Sequence, residues 1–196
     1  YKSWRVLSLY SKTVSINKRL IINGDDFGLC EGVNKGILKL LQRGMIKSVS
    51  LMSTGYAFDS AVSIVKDHPD VGVGVHLSLI ETKSITGEEA FSLVSKNGYF
   101  AKNFLIFFIR YLFGLIRKED IYKELHAQIE KIKETDIEIT HLDSHQYIHM
   151  LPGIFNIFLK LAQEFNIPFI RLPFIPLDRR FFLGKAELSR KLYQLV

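Results

Sequence analysis

A single cysteine, Cys30, excludes an internal disulfide in this chain of 196 residues, and one free thiol fits a reducing compartment. Long apolar runs are also missing. The most apolar stretch, Leu105 to Ile116, is interrupted by Arg110 and falls short of the roughly 20 residues that span a bilayer. The stretch from Tyr1 to Lys18 sets Lys2, Arg5, Lys12 and Lys18 around short apolar pieces, with no continuous apolar core and no small-residue cleavage site. It is expected to be an N-terminal extension rather than a signal peptide. No basic run carries interleaved aromatics, so no nucleic-acid partner is expected. The excess of 26 Lys and Arg over 20 Asp and Glu, net +6, permits contact with anionic lipid or phosphate without requiring it. Internal repeats and low-complexity tracts are absent too.

What is present is enough apolar material for one core. With 47% hydrophobic residues the chain is expected to fold as a single globular domain over 19–196. Arg19 to Asn23 is an apolar run expected to form a first buried strand that ends at Asn23, and Val33, Ile37, Leu40 and Leu41 form a helical stripe that Gly44 stops. Ser48 to Met52 gives a second strand, and Asp59 is a candidate cap for a helix holding Ala61, Val62, Ile64 and Val65. Val71 to Leu77 is a third strand, where Gly72 and Gly74 permit close packing.

Loop material follows from Ile80 to Lys102, then the apolar segment, expected to be an insertion at about 100–118. It reads either as a core helix or as an interfacial segment making peripheral membrane contact through Leu105 to Ile116. Ile121, Leu125, Ile129 and Ile132 mark an amphipathic helix, Ile137 to Leu142 a strand, Pro152 the first turn of another helix, and Pro168 to Leu172 a fifth strand. Strands alternating with helices predict a parallel α/β sheet, open or closed into a barrel. A barrel usually takes roughly 250 residues, so the domain is expected to be incomplete at its C-terminal end.

The polar residues that stand out all sit where these strands end. Asp25 and Asp26 follow the first, His76 closes the third, and Asp143 and His145 follow the fourth. In a parallel sheet those ends share one face, where ligand and catalytic sites form. Two imidazoles and one carboxylate suit a divalent cation with open positions for water and substrate. Ligand type favours zinc and leaves magnesium, manganese, iron and cobalt open. Of the two aspartates, one can hold the metal while the other accepts a proton. His141 is expected to be a satisfied core histidine, His68 and His126 to lie at the surface, and Cys30 to pack after a turn. Asp143 suits the orientation of a histidine or a substrate hydroxyl. His149 would share a face with His145 if that segment were helical. Arg171, at the end of the last strand, suits either a sugar contact or an ion pair.

These residues fall in three motifs: Asn23-Gly24-Asp25-Asp26-Phe27-Gly28, Gly74-Val75-His76-Leu77, and His141-Leu142-Asp143-Ser144-His145-Gln146. In this order and spacing they resemble the YdjC-like carbohydrate deacetylases, which include chitooligosaccharide deacetylases and a hopanoid-biosynthesis branch. The resemblance runs from about Leu20 to Pro176, with Gly24 where alanine is frequent and Tyr147 where histidine is common.

It implies a barrel-like α/β fold of the glycoside hydrolase/deacetylase type and removal of the acetyl group from an N-acetylated oligosaccharide or glycolipid. It also implies one metal ion on Asp26, His76 and His145, with Asp25 as base. Donor type ranks Mg2+ and Zn2+ together for that ion, and Asp143, His149 and Arg171 are expected around it from their own positions. A cytoplasmic enzyme is expected, with the inner membrane surface as an alternative setting and a homo-oligomer left open. Two rivals remain: another metal-dependent hydrolase such as a phosphoesterase, and a truncated relative that binds sugar or membrane without catalysis.

Overall fold

The computed structural model describes residues 20–173; the N-terminal extension at 1–18 and the positions after 173 lie outside the described residues. Five strands, β1 (Asn23–Phe27), β2 (Ser48–Leu51), β3 (Gly72–Leu77), β4 (Ile139–Ser144) and β5 (Phe169–Ile170), form one sheet in chain order. Every neighbouring pair is parallel. The helices are α1 (Glu31–Gln42), α2 (Phe58–Lys66), α3 (Phe104–Leu112), α4 (Lys118–Lys133) and α5 (Ile154–Glu164). This is the α/β alternation expected, and a sheet kept in chain order winds in one sense, as a barrel wall does.

Burial explains which residues became which element. Phe27, Val49, Leu51, Val73, Val75, Leu77 and Leu142 supply the sheet's share of the core. Helix α4 buries Ile121, Leu125, Ile129 and Ile132, one stripe at helical spacing, against it. Fully burying each such side chain is worth about 1.5–3 kcal/mol. Gly44, with φ +65, follows α1 as the left-handed stop that the sequence predicts. At Gly74 a Cβ would fall 2.3 Å from His141 Nε2, so the missing side chain is what lets the His141 ring lie across β3.

Several boundaries differ from the expectation. The first strand does not end at Asn23 but begins there, because pairing with β2 starts at Asn23↔Ser48. Leu20, Ile21 and Ile22 are exposed, not buried. Asp25 and Asp26 thus lie within β1, and Asp143 within β4. Helix α2 is preceded by Ala57, with Asp59 in its first turn rather than capping it. Pro152 stands just before α5, whose cap is Gly153 at φ +88. Cys30 is exposed at the start of α1 instead of packed.

The apolar segment forms α3, which buries Phe107 but exposes Leu105, Ile109 and Leu112. The Tyr111 hydroxyl donates to Pro152 O at 2.6 Å and Arg110 Nη2 to Ser92 O at 2.7 Å. These bonds tie α3 to the loops after β4 and β3, at the carboxyl-end face of the sheet. Among the described residues no helix is long and apolar enough to cross a membrane.

Candidate metal centre

The site begins with an irregularity in β1. Gly24 pairs with Val49 and Phe27 with Leu51, so β1 carries one more residue than β2 over that span, a bulge. Asp26 sits in it at φ +59, a left-handed conformation that aspartate tolerates better than most residues. The bulge breaks the strict alternation of side chains, which is how two consecutive aspartates both reach the same cluster.

Asp26 Oδ1 lies 2.7 Å from His145 Nδ1 and 3.1 Å from His76 Nε2. One donor atom from each of these three residues falls within 4.8 Å of the other two. Strand register supplies the next layer: His76 and Asp143 are direct partners across β3 and β4, and His76 Nδ1 donates to Asp143 Oδ1 at 2.7 Å. That bond fixes the ring and leaves Nε2 facing Asp26, the arrangement by which an outer carboxylate orients a ligating histidine. Asp143, 1% exposed, also accepts from Ser50 Oγ at 2.7 Å and from Arg171 Nη1 at 3.1 Å.

Asp25 is held separately. Its Oδ1 accepts from Arg171 Nη1 at 2.6 Å and from Asn23 Nδ2 at 2.7 Å. Asn23 Nδ2 also donates to Ser50 Oγ, and Asn23 Oδ1 accepts from Ser48 Oγ. Among the described residues Asp25 Oδ2 takes no hydrogen bond.

The electrostatics follow from these contacts. Hydrogen bonds from His145 and His76 hold the Asp26 carboxyl well below the usual carboxylate range. Burial opposes charge on His76, but its bonds to Asp143 and Asp26 outweigh that and push it up to about 9. Burial opposes charge on Asp143 as well, and the His76 and Ser50 bonds reverse the sign, lowering it. Arg171 is raised above its ordinary value: desolvation is overcome by Asp25 and Asp143.

The structure therefore brings Asp25, Asp26, His76, His145, Asp143 and Arg171 into one cluster. His149 stands behind it. The segment after β4 is not a regular α-helix: Gln146 and Tyr147 adopt φ +52 and +53, so His149 turns inward, fully buried. Its Nε2 donates to Arg171 O at 3.1 Å and its Nδ1 lies 2.6 Å from Ser144 Oγ. His141 is satisfied as expected, beside Ser50 Oγ at 3.2 Å and Thr140 Oγ1 at 2.9 Å. His68 bonds Ile64 O, and His126 lies between Glu130 and Glu164.

Sequence reasoning placed Asn23 in the first motif without giving it a role, and missed Ser50, whose small polar side chain carries no local signal. It also missed Glu81, whose Oε2 lies 3.2 Å from His145 Nε2. The donor set suits a divalent ion: two imidazoles and a carboxylate converge, and each imidazole meets a carboxylate at its far nitrogen.

Comparison with known proteins adds an independent line. The profile of the family described as YdjC-like protein matches residues 19–195. A carbohydrate deacetylase from Brevibacillus brevis is 36% identical over 80% of this chain and 60% of its own length. One from Thermoanaerobacter pseudethanolicus is 31% identical over 88% of this chain and 66% of its own. A crystal structure from Enterococcus faecalis V583, assigned by name to cellobiose-phosphate cleavage, superposes with a TM-score of 0.71 at 29% identity. It covers 92% of this chain and 64% of that one. The chain thus spans about three-fifths of the length of the curated relatives it matches.

Proposed function

Because the chain belongs to the YdjC-like family, we propose that it removes the acetyl group from an N-acetylated amino sugar by metal-assisted hydrolysis. The observation that carries this reading is the convergence of Asp26, His76 and His145 within 4.8 Å, in a chain similar to proteins named carbohydrate deacetylase. Asp26, His76 and His145 would hold one divalent ion, Mg2+ or Zn2+, which would supply Lewis acidity toward an acetamide and lower the pKa of a water. A sheet in chain order supports a barrel that the described strands begin.

Asp25 acts as base. Arg171 and Asn23 fix its Oδ1, leaving Oδ2 to accept a proton from the water that adds to the carbonyl carbon. The C–N bond then breaks, acetate forms, and Asp25 returns the proton to the departing amine nitrogen. Asp143 keeps His76 turned toward the ion. His149, enclosed between Ser144 and Arg171 O, positions Arg171 rather than meeting substrate.

The exposed apolar side chains of α3 support a glycolipid form of the substrate, met at an anionic membrane surface. Leu105, Ile109 and Leu112 are exposed, with the exposed cations Lys102, Arg117 and Lys118 flanking them. The free thiol of Cys30 accords with a reducing, cytoplasmic setting.

The test is acetate release from N-acetylglucosamine oligomers by wild type and Asp25→Asn. The account expects release by wild type and a loss of roughly a hundred- to ten-thousand-fold in the variant. Phosphate release from sugar phosphates without acetate release would instead favour a phosphoesterase. A chain that binds the ion and sugar but turns over neither would favour a binding role.

A further inference from the structure

The two histidines of the cluster present opposite nitrogens to Asp26. His76 offers Nε2 and spends Nδ1 on Asp143, whereas His145 offers Nδ1, 2.7 Å from Asp26 Oδ1. The far nitrogen of His145, Nε2, lies 3.2 Å from Glu81 Oε2. A neutral imidazole has one N–H, and a metal takes the other nitrogen. We propose that Glu81 is the positioning carboxylate of His145, accepting the Nε2 proton and so presenting Nδ1 to the metal. This rests on the metal-centre reading above and gives His145 the kind of partner that Asp143 provides for His76.

The loop bearing Glu81 is built to aim it. Glu81 has φ +68, a conformation that a residue with a side chain adopts at a cost and keeps only where its surroundings impose it. Its N–H donates to Ala101 O at 2.9 Å, where Ile80 and Ala101 form a parallel bridge. Further along, the buried Glu124 carboxylate on α4 accepts from Ser84 Oγ and Thr86 Oγ1, both at 2.6 Å, and from the N–H groups of Ile85 and Thr86, both at 3.1 Å. A buried charge with that many donors clamps the loop to the helix.

The second Glu81 oxygen is also occupied: Oε1 accepts from Gln146 Nε2 at 2.9 Å. Gln146 and Tyr147 hold left-handed conformations directly after His145. Glu81 therefore grips both His145 and the strained turn that carries it, spanning the loops after β3 and β4. The two outer carboxylates differ in setting: Asp143 is 1% exposed, while the Glu81 side chain is 37% exposed. Glu81 can thus be replaced with little cost to folding.

The experiment titrates Zn2+ into metal-stripped wild type, Glu81→Gln, Glu81→Ala and the control Glu88→Ala by calorimetry. Nitrogen-15 NMR of the His145 ring in the zinc-loaded protein runs alongside. Glu81→Ala is expected to weaken binding by roughly 10–100-fold. Glu81→Gln, whose amide oxygen still accepts a proton, should lose much less, and Glu88→Ala should match wild type. NMR should place the proton on Nε2.

Equal affinity in wild type and Glu81→Ala, or a proton on Nδ1, overturns the assignment while leaving the metal centre standing. If Glu81→Gln is as damaging as Glu81→Ala, Glu81 is a direct ligand and the positioning role is overturned. Failure of wild type to bind Zn2+ overturns the metal centre and this inference with it.

Discussion

Arg171 Nη1 stands 2.6 Å from Asp25 Oδ1, so the residue following β5 holds a carboxylate of β1 across the whole width of the sheet. The same nitrogen lies 3.1 Å from Asp143 Oδ2. One guanidinium thus links the proposed base to the carboxylate that orients His76. The sequence leaves Arg171 between a sugar contact and an ion pair; the geometry gives it the ion pair with both.

Removing that cation leaves Asp143, almost fully buried, short of a partner. Arg171→Ala is predicted to cost about 1–3 kcal/mol, read by urea unfolding, and to depress acetate release further by freeing Asp25. Arg171→Lys should recover part of the stability, since it keeps the charge, but little of the activity, because a single ammonium cannot reproduce the planar fork.

Asp143 acts through His76, and its loss should show in metal affinity. Asp143→Asn keeps the volume, but Asp143 accepts on both oxygens, from His76 on one and from Ser50 and Arg171 on the other, so the amide N–H2 must face a donor on one side and the His76 ring loses its fixed orientation. Calorimetric titration with Zn2+ should show roughly 10–100-fold weaker binding, with circular dichroism confirming the fold. Unchanged affinity would remove Asp143 from the account.

His149 gives a pH dependence with a definite sign. Burial lowers its pKa below the ordinary 6.5, so the unfolded chain takes up the proton first as pH falls. The contribution of neutral His149 to stability is present above 6.5 and is lost as pH falls from there toward its folded value. The slope is at most about 1.36 kcal/mol per pH unit. Other groups titrate with other signs; His76, raised to about 9, loses its contribution as pH rises. The readout is therefore the difference in unfolding free energy between wild type and His149→Gln, which should shrink between pH 7 and 5. A constant difference would mean that His149 is not held neutral.

How much of this was legible in the sequence depended on the kind of signal. His76 and His145 stood out because a histidine at the end of an apolar run is costly unless it has a task, and parallel strand ends meet in space. The β1 boundary was not legible. Leu20, Ile21 and Ile22 have the composition of a strand, yet pairing begins only at Asn23, since what fixes a strand is the partner backbone, not its own hydropathy. The bulge that turns Asp26 toward the histidines is a register event between two strands and leaves no trace in either alone. Glu81 was hidden in loop material that Glu124, far along the chain, folds into place.

Helix α3 offers a test outside the metal centre. Its exposed Ile109 and Leu112 should bind vesicles containing anionic lipid, and binding should weaken at high salt, as basic flanks require. Ile109→Asp with Leu112→Asp should abolish co-sedimentation without changing Zn2+ affinity. Equal sedimentation of wild type and the double variant would remove the membrane from the account.

The central claim is that Asp26, His76 and His145 hold one ion while Asp25 stays free of it. The most direct measurement is the Zn2+ stoichiometry of metal-stripped wild type, Asp25→Asn and His76→Ala, taken by calorimetry and by elemental analysis after gel filtration. The account predicts one tightly held ion per chain in wild type and Asp25→Asn, and none in His76→Ala. An ion retained by His76→Ala with wild-type affinity, or lost from Asp25→Asn, would contradict it.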